Sequence, residues 1–234
     1  MYSLATIPYT EVELDWGCEL PGDKVVRSRQ LRGALANAFR ADDLFHQHDP
    51  VTGKSLYRYP RVQYRWWNGH GVMVGWHQAA PRLLNLPWLD LALRIGNDEV
   101  TIADAVLTSQ AVTFGVSDSL MSYRLLTPAL LFNPRNYQQY QRMNKQQQMA
   151  ERERLLIAAL LIAMRGLEVT FSERLYAVFA QFYTQTIEYK QERFLGIGGV
   201  VRTNAVLPNG FAFGHGVSHG FGELITMENR DKRA

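Results

Sequence analysis

The dipeptide Asn68-Gly69 sits between two runs that alternate in polarity, and few short-range signals restrict a chain more tightly. The type I′ two-residue hairpin turn demands positive φ at both central positions, which Asn and Gly tolerate. Val62, Tyr64 and Trp66 alternate with Arg61, Gln63 and Arg65 before the turn, and Val72, Val74 and Trp76 follow it. The segment therefore reads as a β-hairpin with one apolar face and one basic face. Upstream, Ser3 to Leu14 alternates near its end as a half-buried strand does. Leu31, Ala34, Leu35, Ala38 and Phe39 recur at helical spacing and predict an amphipathic helix over Val25–Phe39. Downstream, a short helix near Ala79–Leu86 and strands within Leu89–Phe114 complete a β-α-β-β-α-β order.

The second half begins with a strand near Ser119–Leu126, stopped at Thr127-Pro128. A helical stretch over Asn136–Met164 is polar at first and apolar all round from Leu155, which predicts burial. A further helix is expected from Ser172 to about Gln191, then a strand through Phe194–Val206. A glycine-rich loop over Pro208–Gly222 and a last strand over Glu223–Met227 finish the chain. The fold class is α+β in two small halves.

Composition narrows the function classes. An apolar fraction of 47% and a charged fraction of 20% are ordinary for a chain with a real core. Cys18 is the only cysteine, so neither an intrachain disulfide nor a thiolate zinc cluster can form. The first residues lack a basic segment followed by an apolar run, and Leu155–Met164 is about half of the ~20 residues a membrane span needs. A cytoplasmic protein without membrane contact is expected. The net charge of +3 is unevenly spread: residues 1–23 carry five acids and no base, whereas 24–65 carry nine bases against three acids. A mostly arginine excess of that kind suits phosphate contacts, although a solvated face with scattered ion pairs would look the same.

Gly214-His215-Gly216-Val217-Ser218-His219-Gly220-Phe221-Gly222 is the densest motif. Four glycines in nine residues suit a backbone that closes around a ligand and offers N–H groups to phosphate; a long hairpin loop is the plainer alternative. Three familiar patterns are spelled in the chain and fail on context. A dinucleotide fingerprint needs a following helix and an acid ~20 residues on. Gly216-Val217-Ser218-His219-Gly220 spells a nucleophile elbow, yet no Asp/Glu-then-His order follows. Gly53-Lys54-Ser55 lacks the first glycine of a phosphate-binding loop, since His48 stands there.

His46-Gln47-His48 lies in the loop between the basic helix and the basic hairpin. Two imidazoles among arginines have the equipment for RNA cleavage without a metal: one deprotonates a ribose 2′-OH and another group protonates the leaving oxygen. Nearby guanidiniums stabilise the phosphorane charge. Surface or structural histidines are the competing reading. Zinc held by His46, His48, His215 and His219 is a weaker one, because nothing local fixes ligand geometry. Tyr57, Tyr59, Tyr64, Trp66 and Trp67 offer stacking area for bases but fit a core better. Gln138–Gln148 fits a solvated helix.

Several separated segments, in order, resemble the CRISPR-associated endoribonucleases that cut precursor CRISPR RNA within its repeats, members of the repeat-associated mysterious protein (RAMP) superfamily. They are Leu31-Arg32-Gly33-Ala34-Leu35, the histidine loop, Arg58-Tyr59-Pro60-Arg61-Val62-Gln63-Tyr64-Arg65, Tyr123-Arg124-Leu125-Leu126-Thr127-Pro128 with Asn133 and Asn136-Tyr137, Met164-Arg165-Gly166-Leu167, and the glycine-rich loop. The resemblance implies tandem ferredoxin-like (RRM-like) domains, here divided as 1–115 and 116–234, the second with a helical insertion and the glycine-rich loop. It implies metal-independent cleavage to a 2′,3′-cyclic phosphate, no cofactor, and a loop that grips RNA backbone. His48 is then the expected general base and His46 its partner acid. Arg29, Arg32, Arg58, Arg61 and Arg65 are the expected RNA contacts, with Gly214, His215, Gly216, Ser218, His219 and Gly220. Such loops usually carry Lys or Arg where this one has His215 and His219. The expected partner is a precursor CRISPR RNA repeat; other effector subunits and a homodimer are compatible with the same surface. A non-catalytic RAMP subunit that binds guide RNA would use it too. A metal-dependent phosphodiesterase is a further alternative, one that EDTA should silence.

Overall fold

The computed structural model describes residues 4–40, 42, 45, 59–189 and 192–227. The chain divides into two units. One comprises Ile7–Val112 with a three-residue return at Ser218–Gly220, and the other comprises the rest.

The first unit opens with β1 (Leu4–Asp15), α1 (Lys24–Ala38), β2 (Val62–Trp67) and β3 (His70–Trp76). It continues with α2 (Ala79–Leu84), the small hairpin β4 (Ala92–Ile95) and β5 (Asp98–Thr101), and the first part of β6 (Asp104–Leu125). Its strands lie in the order β2-β3-β1-β6, the arrangement of a ferredoxin-like fold. The expected turn is present: Asn68 and Gly69 have φ of 47° and 79°, and β2 pairs with β3 from Val62↔Gly75 to Trp67↔His70. α1 starts where Asp23 accepts from the amides of Val25 and Val26 at 3.0 and 2.9 Å, satisfying two otherwise open donors. Its inner face buries Ser28, Leu31, Ala34 and Leu35. Leu31 and Leu35 join a core with Val12, Leu14, Trp16, Tyr64, Trp66, Met73, Leu83 and Ile95.

The second unit takes the remainder of β6, then β7 (Ala129–Leu130), α3 (Pro134–Gln141), α4 (Lys145–Gly166), β8 (Ala177–Tyr189), β9 (Glu192–Val206) and β10 (Leu224–Thr226). β10 pairs with β6, β6 with β9, and β9 with β8, which repeats the strand order of the first unit. Where the first unit has α2, the second has the loop between β9 and β10. Asn144 begins α4 with a reciprocal cap: its side chain accepts from the Gln147 amide while Gln147 accepts from the Asn144 amide, both at 3.0 Å.

Three expectations change. The helix expected over Ser172–Gln191 is the strand β8, hydrogen-bonded to β9 from Ala177↔Thr203 to Tyr189↔Glu192. The apolar part of α4 is not buried all round, since Leu155, Leu156, Leu160, Ala163 and Met164 are buried but Ile162 is 63% exposed. The hairpin has no solvated basic face, because Gln63 and Arg65 are as buried as Tyr64. Among the described residues no helix is long and apolar enough to cross a membrane.

Candidate functional site

The site begins on α1. Ser28 and Arg32 stand four residues apart and so share one face of the helix. Ser28 is buried and its hydroxyl donates to the Lys24 carbonyl at 2.7 Å. Arg32 is half-buried, and its Nη1 donates to Nε2 of His219 at 2.7 Å. A guanidinium only donates, so that nitrogen must present its lone pair. The contact therefore selects the neutral imidazole with its proton on Nδ1. His219 is itself buried, at 9% exposure. Tyr64, from β2, lies beneath: burial pushes its phenol far above the ordinary range, against the opposing pull of Arg32.

Gly220 explains why this return of the chain lies so close to α1. Its φ is +87°, and a Cβ there would stand 2.9 Å from Ser28 Oγ and 3.0 Å from Ser28 Cβ. The other glycines of the loop are equally constrained. A Cβ on Gly214 would meet the Leu130 carbonyl oxygen at 2.8 Å, one on Gly216 the Phe221 ring at 2.8 Å, and one on Gly222 the Phe213 carbonyl oxygen at 2.0 Å. Backbone groups nearby are engaged: the amides of His215 and Gly222 donate to Leu130 and Pro128, and that of Glu223 donates to the Thr127 hydroxyl. The glycines thus serve close packing of the loop. Ser218 and Gly220 are buried, Gly214 and Gly216 half-buried, and His215 exposed. The His215 ring still loses enough water to hold its pKa below the usual imidazole value.

The remaining arginines have different surroundings. Arg29 is exposed on α1. Arg61 is half-buried and donates to Gln78 Oε1 at 2.7 Å. Arg65 is 1% exposed; its Nη2 donates to Gln63 Oε1 at 2.6 Å and its Nη1 to the Tyr64 carbonyl at 3.3 Å, inside the first unit. His46, His48 and Arg58 lie outside the described residues.

The flanks of the histidine loop are nevertheless informative. Phe45, the residue before His46, is buried and stacks on Phe39 with ring centroids 4.8 Å apart. Asp42 donates its amide to the Phe39 carbonyl at 3.0 Å and accepts from Arg82 through its carboxylate. Beyond the loop, the Tyr59 hydroxyl accepts from Gln63 Nε2 at 2.9 Å. Phe45 is therefore held at the C-terminal end of α1, against a residue about two helical turns beyond Arg32. Sequence reasoning passed over Ser28, Phe45 and Asp42. Their types carried no signal, because the role of each depends on a neighbour distant in sequence or on a single buried contact.

Among the described residues, no three His, Cys, Asp or Glu side chains come together as a metal site.

Comparison with known proteins covers both halves. Residues 6–113 match the family described as the Cas6b N-terminal domain and residues 115–227 that of the Cas6b C-terminal domain. A crystal structure of Cas6b superposes with a TM-score of 0.85 at 21% identity, covering 95% of this chain and 100% of that one. A crystal structure described as the CRISPR RNA processing endoribonuclease Cas6b gives 0.71 at 19% identity, with the same coverage. An uncharacterized protein of Methanocaldococcus jannaschii is 29% identical over 115 residues, 49% of this chain and 78% of that protein.

Proposed function

The chain belongs to the Cas6b family of CRISPR RNA processing endoribonucleases, and from that premise we propose that it cuts precursor CRISPR RNA within the repeat without a metal ion. Neutral His48 takes the proton of a ribose 2′-OH, and the freed 2′-oxygen attacks the adjacent phosphorus. The P–O5′ bond breaks, and the 5′-oxygen leaves with a proton supplied by His46. The products are a 2′,3′-cyclic phosphate and a 5′-hydroxyl. Both proton transfers lie within the reach of groups whose ordinary pKa is ~6.5. Arg32 and Arg29 supply the positive charge that the phosphorane oxygens require. Arg58, Arg61 and the exposed His215 bind the RNA strand. The protein acts in the cytoplasm, on a repeat RNA and with no cofactor.

The observation that most supports this reading is the fixed position of Phe45, the residue before His46. Phe45 is stacked on Phe39 at the end of the helix that carries Arg29 and Arg32.

The test is a labelled repeat RNA incubated with the pure protein in EDTA. One specific cut supports the proposal. Tight binding without cutting would instead make the chain a structural RNA-binding subunit, and cleavage that only added metal restores would make it a metal-dependent phosphodiesterase.

A further inference from the structure

The contact between Arg32 and His219 carries more than RNA affinity. Both residues looked like direct phosphate ligands, yet the geometry joins them to each other, Nη1 to Nε2 at 2.7 Å. His219 is almost fully buried, whereas Arg32 is only half so. A buried imidazole that spends its lone pair on a guanidinium is poorly placed to bind a strand in solvent. The guanidinium, with five N–H donors in a planar fork, loses one to the histidine and keeps others for a ligand. Gly220 fixes the spacing from the far side, because its close approach to Ser28 leaves no room to slide along α1.

We propose that His219 is a positioning residue: as the Nδ1-protonated neutral tautomer it accepts from Arg32 and thereby aims that guanidinium at a phosphate of the bound RNA. The proposal rests on the nuclease reading only for the identity of that phosphate. The sequence substitution noted in the loop, histidine in place of the usual Lys or Arg, acquires a reason. The cation comes from α1, and the loop supplies the acceptor that orients it.

Three substitutions separate orientation from bulk. In H219Q the side-chain carbonyl oxygen reaches about as far as Nε2, so it accepts from Arg32 in the same place. In H219N the oxygen stands near the position of Nδ1 and falls short. H219A removes the acceptor altogether. Each is measured for equilibrium binding of a repeat RNA carrying a 2′-deoxy scissile nucleotide and for single-turnover cleavage of the all-ribose repeat. Melting temperature checks the fold. Losing one oriented, charge-assisted hydrogen bond predicts about 10- to 100-fold weaker binding or slower cleavage for H219A and H219N. H219Q should recover most of that loss. Histidine ¹⁵N shifts in the wild-type protein should show His219 protonated on Nδ1.

Equal behaviour of H219Q and H219N, wild-type behaviour of H219A, or an Nε2-protonated His219 would each overturn the proposal. If the wild-type chain binds the repeat and never cuts it, the nuclease reading fails. The order of affinities and the tautomer then still decide the role of His219.

Discussion

Gly220→Ala probes the join between loop and helix, and the cost can be built from two parts. The first is backbone: with φ at +87° an alanine enters the left-handed region, at about 1–2 kcal/mol. The second is steric, since the new methyl would lie 2.9 Å from Ser28 Oγ and 3.0 Å from Ser28 Cβ. Ser28 is buried and its hydroxyl is bonded to Lys24, so it cannot turn away freely; overpacking of this kind costs about 1–3 kcal/mol. Gly17 isolates the first part, because its φ is +75° and nothing lies within 4 Å of the Cβ it lacks. Urea unfolding of both variants should show Gly220→Ala destabilised beyond Gly17→Ala by about 1–3 kcal/mol. RNA binding should weaken in Gly220→Ala alone, because the displaced methyl pushes His219 off Arg32. Equal destabilisation of the two variants would refute the packing argument.

Arg65→Gln should lower stability by about 1–3 kcal/mol, because Gln63 loses its buried donor. It should leave the salt dependence of RNA binding unchanged, whereas Arg29→Ala should reduce that slope by about 0.7 for a single-stranded ligand; titrations across salt concentrations check both. His215 should titrate by NMR below the ordinary imidazole value, because partial burial disfavours its charged form. Its stabilising contribution is complete above the unfolded pKa of ~6.5 and falls away as pH drops below that value. RNA affinity should rise as the folded ring charges, and His215→Ala should remove that rise. Phe45→Ala should slow cleavage more than it weakens binding, since it removes the ring stacked on Phe39 beside His46 without touching Arg29 or Arg32; single-turnover rates against RNA concentration separate the two effects.

The first half of the fold was legible because local chemistry and long-range pairing agree there. Asn68-Gly69 demands its turn, and the spacing of Leu31, Ala34 and Leu35 matches the buried face of α1. β8 was misread for the opposite reason. Most residues from Val178 to Glu188 are exposed whichever face they occupy, so the period of two that marks a half-buried strand is missing. What makes the segment a strand is its pairing with β9, which no local pattern announces. Alternation misled in the hairpin as well: Gln63 and Arg65 alternate with apolar residues but bond to each other in the interior. Glycine density drew attention to residues 214–222, but composition cannot say what a glycine makes room for. At Gly220 it is Ser28, and at Gly222 it is the Phe213 carbonyl. The Arg32–His219 pair joins residues 187 apart in the chain, beyond any spacing rule.

The most direct measurement of the account replaces one proton acceptor and one oxygen. Cleavage of the repeat in EDTA is followed for the wild type, for His48→Ala, and for RNA lacking the 2′-hydroxyl at the scissile nucleotide. A 2′,3′-cyclic phosphate is expected from the first, a rate lower by about 10²–10⁴-fold from the second, and no cut in the third. Undiminished cleavage by His48→Ala would remove His48 as the base. A cut in the 2′-deoxy RNA would contradict attack by the ribose itself.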